Sequence, residues 1–440
     1  MLTFFTAASL LLQPAPVAEA SGSSTADSVS VEAVTAEAVA ALVAEFDAPQ
    51  RSLRDDAERR LTALGPAVLK HLPQPAPGAS AERTIRLNRV RSAVYRAQVA
   101  VDLRGTEVEW PRTSTTLPAV LAAFEHQSGN HLIDYRRQFG QQVDDARFEF
   151  ETPRVPFWEG IDRLCLAAGA EPYFFAGEDG LALVTRGTPA TAAGWKGRPA
   201  HVDYRGAFRI EVEQVVASRR PEAASGELRV ELSAAWEPRL KPMFVTLAVR
   251  KMEATDATGR RLEPSNPDLV LEIPPPGKAC RIEAAATFQA PPRSVARIAR
   301  LRGEFDVLIP AARHSFRFSP AAAMEKRAEQ VGGVTVTLEP LRPNGDLIEA
   351  VIRLAYENPI NALESHRAWF YKNPAHLESQ NGEKLPPGTI ELVRQSDDEL
   401  TLNLHFPATD DWRTGTLVYE TPADFVVVPA EFEFKDLPLP

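Results

Sequence analysis

The sequence predicts a multidomain chain with an N-terminal α-helical segment, a small α+β domain and two tandem all-β sandwiches. Three observations carry this expectation. Apolar residues recur at helical spacing between about residues 33 and 100, amphipathic helices alternate with short strands between about 101 and 187, and from about 200 onward apolar and polar residues alternate between turn signals. At 440 residues the chain exceeds one ordinary core, and a composition of 44% hydrophobic and 25% charged residues is that of a globular protein. Many of the 37 prolines fall in the second half, which suits β-rich units with many turns. The net charge is −10 and no dense Lys/Arg stripe is present, so the attraction that nucleic-acid binders use is missing and no nucleic-acid partner is expected.

The first residues read as an export signal. MLTFFTAASLLL is too short to span a bilayer as a stable helix, and Ala18 and Ala20 supply a small-x-small pattern before Ser21, although no Lys or Arg precedes the apolar run. Residues 1–20 are therefore expected to be a signal peptide and 21–32 a flexible lead, which places the protein in the periplasm or at the cell surface of a Gram-negative-type bacterium. No membrane span is expected after cleavage. Cys165 and Cys280 read as small buried hydrophobes rather than halves of a bridge.

Residues 33–100 form the helical segment. Val39, Leu42 and Phe46 share one helical face, and Leu53, Ala57, Leu61 and Leu64 another; Ser52 and Asp55 are spaced as a capping box. A third helical stretch starts at Gly65-Pro66, and a charged helix from about Glu82 to Gln98 closes the bundle. The stretch RDDAERRLTALGPAVLKHL resembles a single HEAT-like unit, which implies a helix pair that buries its face against neighbouring helices.

Residues 101–187 read as strand, helix, strand, strand, helix, strand, strand. Leu117, Val120, Leu121 and Phe124 line the first helix, and Phe157, Ile161, Leu164, Cys165 and Ala168 the second, with a hairpin turning at Asp179-Gly180. The segments TLPAVLAAFEHQSGNHLIDY, FEFETPRVPFWEGIDRLCLAAGAEPYFF and GLALVTRG resemble the secretin and TonB short N-terminal domain. Gln127, Gly129, Phe157, Glu159, Ile161, Asp162 and Leu164 fit the family pattern, whereas Gly160 stands where alanine is usual and RRQFGQQVDD is a longer insert. The resemblance implies a periplasmic module that binds partner proteins or transmits a signal and is not an enzyme. No segment resembles a secretin pore or an outer-membrane barrel. The small residues of the linker at 188–199 suggest mobility between this module and the sandwiches.

The sandwiches are expected at 200–322 and 323–440, because the region repeats itself. GAFRIEV at 206–212 resembles GGVTVTL at 332–338, AAWEPR at 234–239 resembles LAYENP at 354–359, ATDATGRRLEP at 254–264 resembles LESQNGEKLPP at 377–387, and FDVLIPA at 305–311 resembles FVVVPA at 425–430. Alternating strands with close turn signals read as immunoglobulin-like sandwiches.

The sequence contains no G-x-S-x-G, H-E-x-x-H, phosphate-binding glycine loop, C-x-x-C or dinucleotide fingerprint, so no catalytic residue, cofactor or metal is assigned. His126 and His131 flank a helix end and read as solvated or capping residues. The acids at Asp144-Asp145, Asp397-Asp398-Glu399 and Asp410-Asp411 read as solvated turns. HRAWFYKNP holds the candidate contact residues Trp369, Phe370 and Tyr371; read as a strand, it turns Phe370 away from the other two, to fill an interdomain interface or to meet a partner or carbohydrate. The favoured function is an exported, non-enzymatic envelope adaptor or scaffold whose partner is another envelope protein. The alternative is a cell-surface carbohydrate-binding protein that takes a polysaccharide, and third is an enzyme with a site in an interdomain cleft.

Overall fold

The computed structural model describes residues 34–73, 80–141, 147–177, 179–187, 201–219, 226–318, 325–364, 366–408 and 414–440. The expected signal peptide and lead, the 188–199 linker and the acidic pairs Asp144-Asp145 and Asp410-Asp411 lie outside them. The chain has an N-terminal helical segment and a C-terminal half that is mostly β-sheet. Among the described residues no helix is long and apolar enough to cross a membrane.

Helices α1 (Ala36–Ala44), α2 (Arg51–Ala63) and α3 (Ala81–Asp102) enclose a core of Val39, Val43, Phe46, Leu61, Leu87, Val90 and Val94. Two local expectations are corrected here. Helix α2 begins at Arg51, so Ser52 is already inside the first turn, Gln50 makes no side-chain cap, and Asp55 instead accepts from Arg86 at 2.8 Å. The stretch at Gly65-Pro66 is a short 3₁₀ helix, Gly65–Lys70, entered through Gly65 at φ 68°. Arg86, nearly fully buried, draws Asp55, Glu58 and Glu82 together.

The next elements are β1 (Glu107–Thr115), α4 (Leu117–Ser128), β2 (Leu132–Asp134), β3 (Phe148–Pro156), α5 (Phe157–Ala167), β4 (Ala170–Tyr173) and β5 (Leu181–Thr185). Strand β1 pairs antiparallel with β3, and β5 lies between β2, parallel to it, and β4, antiparallel. Gly129 ends α4 in the left-handed conformation at φ 69°. Gly160 has a packing reason: a Cβ there would sit 2.2 Å from Val108 Cγ2, so α5 can lie this close to β1 only with glycine.

Helix α5 is buried on more than its predicted face. Trp158 and Asp162, one turn apart, point at the first β unit: Trp158 Nε1 donates to the Ala207 carbonyl at 3.1 Å, and Asp162 accepts from Tyr204 at 2.5 Å and from Arg209 at 3.0 Å. Period-3.6 reading found the stripe facing the module's own core and missed these two residues, because a large indole and a buried acid face another unit.

The first β unit comprises β6 (Val202–Arg205), β7 (Phe208–Ser218), β8 (Glu227–Trp236), β9 (Phe244–Ala248), β10 (Glu253–Asp256), β11 (Arg261–Leu262), β12 (Val270–Ile273), β13 (Arg281–Gln289) and β14 (Arg297–Phe318). The second comprises β15 (Arg327–Val331), β16 (Val334–Leu338), β17 (Arg342–Asn344), β18 (Leu347–Tyr356), β19 (Ala375–Glu378), β20 (Lys384–Leu385), β21 (Thr389–Gln395), β22 (Glu399–Pro407) and β23 (Thr416–Pro438). One sheet of each unit contains a run of four corresponding strands, β13-β8-β7-β6 in the first and β22-β18-β16-β15 in the second, where β21 extends the sheet beyond β22 and β17 pairs with β18. The other sheet is shared between the units along the path β11-β10-β14-β23-β19-β20, whose two ends correspond under exchange of the units, while β9, paired with β14 and β12, branches from the first unit alone.

At its centre the long strands β14 and β23 pair antiparallel from Arg297↔Pro438 to Phe318↔Leu417. The two similar segments FDVLIPA and FVVVPA thus lie beside each other, with Phe305 opposite Ala430 and Pro310 opposite Phe425. Phe432, Phe434 and Leu437, near the chain's end, pack in the core of the first unit. The two units are therefore not beads on a string.

The α+β module is likewise joined to the first unit, in one continuous core that includes Phe157, Ile161, Phe208, Ile210 and Phe288. This opposes the mobility suggested by the composition of the linker. At the joint, Ala207 N donates to the Leu103 carbonyl at 3.1 Å, and the chain passes so closely that a Cβ on Gly206 would lie 2.2 Å from that oxygen. Glu237, 0% exposed, accepts from Thr106 N (2.6 Å), Thr106 Oγ1 (3.0 Å), Asn130 Nδ2 (3.0 Å) and Arg239 Nε (2.7 Å). Arg239 in turn pairs with Asp102 at 3.0 Å, at the end of α3.

Two outcomes follow for stability, each read from chemical denaturation. Gly206→Ala is expected to cost about 3 kcal/mol or more, whereas Gly382→Ala, also left-handed at φ 82° but facing open space, costs about 1–2 kcal/mol. Glu237→Ala, which leaves Arg239 and three further donors without their acceptor, is expected to cost about 3–5 kcal/mol; a loss below 1 kcal/mol is incompatible with the role assigned to it.

Candidate functional site

The aromatic triplet Trp369, Phe370, Tyr371 lies on a 3₁₀ turn, Trp369–Lys372, not on a strand, so the alternation that would turn Phe370 away from its neighbours does not apply. Phe370 is buried. Trp369 is half-buried, donates Nε1 to the Ala362 carbonyl at 2.6 Å and packs on Tyr356, Phe370 and Phe425. Of the three, Tyr371 is the exposed one, at 43%, and its ring packs on Phe370 at a tilt of 43° with centroids 4.6 Å apart, so these residues form no flat platform for a sugar.

The same stretch does span the two β units. Glu272 on β12 receives His366 Nε2 at 2.7 Å and Arg367 Nε at 2.9 Å, and the Arg367 guanidinium lies 4.5 Å from the Phe244 ring centroid. Glu272, Glu364 and His366 are spaced closely enough to hold a cation, but Arg367 already neutralises Glu272, which makes the group an ion-pair clamp. His131 Nδ1 lies 3.2 Å from Glu125, whose carboxylate also accepts Leu132 N at 3.0 Å and so closes the end of α4. Burial pushes the Cys165 thiol well up and that of Cys280 up to about 12, so neither supplies a thiolate nucleophile, and both are unbridged.

Sequence reading missed an aromatic cluster on the α+β module. Tyr135 follows β2, Phe139 stands on the turn after it, Tyr173 ends β4, and Phe175 is two residues further on. Ring centroids are 5.6 Å apart for Tyr135 and Phe139, 4.9 Å for Phe139 and Tyr173, and 6.1 Å for Tyr173 with either Tyr135 or Phe175. Phe139 is 49% and Phe175 52% exposed.

Several bonds hold the cluster in place. Tyr135 N donates to Leu183 O at 3.0 Å, Arg136 forks onto Asp134 with both bonds at 2.8 Å, and Gln141 Oε1 accepts from Thr185 N at 2.8 Å. Phe139 comes from the insert that departs from the family pattern. A signal was present in Tyr173 and Phe175, which are spaced two apart; that β5 would bring β2 and β4 to either side of it was not.

A concave feature of about 400 Å³ lies between α3 and the second β unit and is lined by Asn88, Arg89, Arg96, Gly332, Tyr356, Glu357 and Asp424 among others. His314 Nε2 lies 3.6 Å from Asp424 Oδ2 beside it, and Nε2 makes no hydrogen bond. A relay for nucleophilic catalysis needs a hydroxyl or thiol within hydrogen-bond reach of the imidazole, and none is bonded to that nitrogen here.

Comparison with protein-family models, with curated proteins and with solved structures found no match.

The clamp at Glu272 has a pH signature. Burial raises its carboxyl, but hydrogen bonds from Arg367 and His366 outweigh this and hold it below the ordinary value of 4.5. With a depressed folded value, its contribution is complete above the ordinary value and disappears as pH falls through the folded one. The stability difference between wild type and Glu272→Gln, read from thermal unfolding at several pH values, is expected to be constant near neutrality and to shrink below about pH 4.5.

Proposed function

We propose that the chain is an exported, non-enzymatic adaptor of the cell envelope, which docks a partner protein on the aromatic cluster of its α+β module. The single observation that carries this is the cluster of Tyr135, Phe139, Tyr173 and Phe175, with two half-exposed phenylalanines, Phe139 on a bonded loop after β2 and Phe175 two residues beyond β4. Exposed aromatics on a rigid support are the usual centres of protein contacts. The resemblance of residues 101–187 to the secretin and TonB short N-terminal domain points the same way, since that family's modules bind proteins. The β units, read as two immunoglobulin-like sandwiches that share a sheet, serve as a stiff support for it.

A carbohydrate platform fits the cluster less well. Phe139 and Tyr173 meet at 74° and Tyr173 and Phe175 at 75°, so the rings form a faceted knob rather than a flat face for a pyranose.

The double variant Phe139→Ser, Phe175→Ser changes two exposed rings and is expected to alter stability by less than about 0.5 kcal/mol. Affinity capture from envelope extracts of the source cells should enrich one protein with the wild type and lose it with this variant. Equal enrichment by both would sink the proposal, and retention of polysaccharide alone would establish the carbohydrate reading.

A further inference from the structure

The two β units carry corresponding seats with different occupants among the described residues: backbone from the α+β module lies against the first, and the His314 ring lies against Gly332 in the second, where a Cβ would come within 2.1 Å of Nε2. In the first, the turn Gly206-Ala207 and Glu237, which follows Trp236 at the end of β8, receive the segment from Leu103 to Thr106. In the second, the corresponding turn Gly332-Gly333 and Glu357, which follows Tyr356 at the end of β18, border the 400 Å³ cleft instead. The correspondence extends to the backbone: Glu237 N donates to Ala207 O and Glu357 N to Gly333 O, both at 2.9 Å. Glu237 takes four donors, whereas Glu357 accepts only Gln330 Nε2 at 2.8 Å among the described residues.

The opposite wall is one face of α3, with Ile85, Asn88, Arg89, Ser92 and Arg96 at helical spacing. This face is polar where helix packing would call for an apolar stripe. Asn88 is 5% exposed, yet neither its amide oxygen nor its nitrogen has a partner. Across from it, the Asp424 side chain is 3% exposed on a residue held at φ 53°; its Oδ2 makes no hydrogen bond and has His314 Nε2 at 3.6 Å. Buried polar atoms are almost always satisfied, so the Asn88 amide, unpaired at both its atoms beside a cleft, points to a ligand there. The cleft is also polarised: both cations, Arg89 and Arg96, are on the helix wall, and both acids, Glu357 and Asp424, are on the sheet wall.

We propose that this cleft binds a free α-amino acid. Its ammonium group meets Asp424 and Glu357, where Glu237 in the first unit meets N–H donors, and its carboxylate meets Arg89 and Arg96. Asn88, whose amide offers both N–H donors and a carbonyl acceptor, bridges the two ends. A volume near 400 Å³ is at the small end for ligand sites and suits a molecule of this size.

The test is isothermal titration of the full chain with each of the twenty standard amino acids, followed by the N-acetyl and the amide form of the tightest binder. Saturable binding of at least one free amino acid at one site per chain is expected, weakened about tenfold or more in each of the two derivatives, which lack one charge. Asp424→Asn is expected to reduce affinity to a similar degree while keeping the fold, because asparagine accepts the left-handed backbone. The pair Arg89→Ala, Arg96→Ala, at exposed positions, should do the same and decides the matter should Asp424→Asn fail to fold. The proposal is overturned by the absence of saturable binding with all twenty, by equal affinity for the N-acetyl form, which would mark an anion site only, or by binding that the arginine pair leaves unchanged.

Discussion

The carboxylate of Glu237 is the constraint on which the assembly of this chain rests. A buried acid is expensive to desolvate and is stable only when its oxygens are fully occupied. Here the donors come from Thr106 at the start of the α+β module, Asn130 behind its first helix, and Arg239, which also reaches Asp102 at the end of α3. One side chain thereby fixes the helical segment, the module and the first β unit relative to one another. The glycine at 206 permits the close backbone approach that brings those donors within range.

Stiffness of the whole follows from two further joints. The pairing of β14 with β23 runs through both β units in one register, so bending between them would have to break that ladder. The clamp of Glu272 with His366 and Arg367 adds a charged contact on the same boundary. A continuous core between module and first unit removes the hinge that a small-residue linker would otherwise allow. For the proposed adaptor this matters physically: a surface on a rigid support loses less conformational entropy on binding than one on a mobile arm.

The order of elements was legible where local periodicity decides it. Strand, helix, strand, strand, helix, strand, strand in residues 101–187 follows from apolar spacing and from breaks such as Gly129 and Asp179-Gly180, and the repeated segments of the β region fall on corresponding strands. Trp369 to Tyr371 were misplaced because a run of large aromatics has strand propensity, while the packing of Trp369 on Tyr356 and Phe425 holds it in a 3₁₀ turn. Trp158 and Asp162 were not distinguished on α5, since nothing in a helical pattern says which second surface will cover it.

By itself the sequence determined what depends on neighbours along the chain: the helical start, the small α+β unit, the β-rich remainder and the repetition within it. Hydrophobic periodicity and turn chemistry act over a few residues and are written there directly. Only tertiary structure decided that the β units share a sheet, that Tyr135, Phe139, Tyr173 and Phe175 meet, and that Asn88 faces Asp424 across a cleft. These residues lie far apart in the chain, and contacts between them depend on how whole elements dock, which no local pattern encodes.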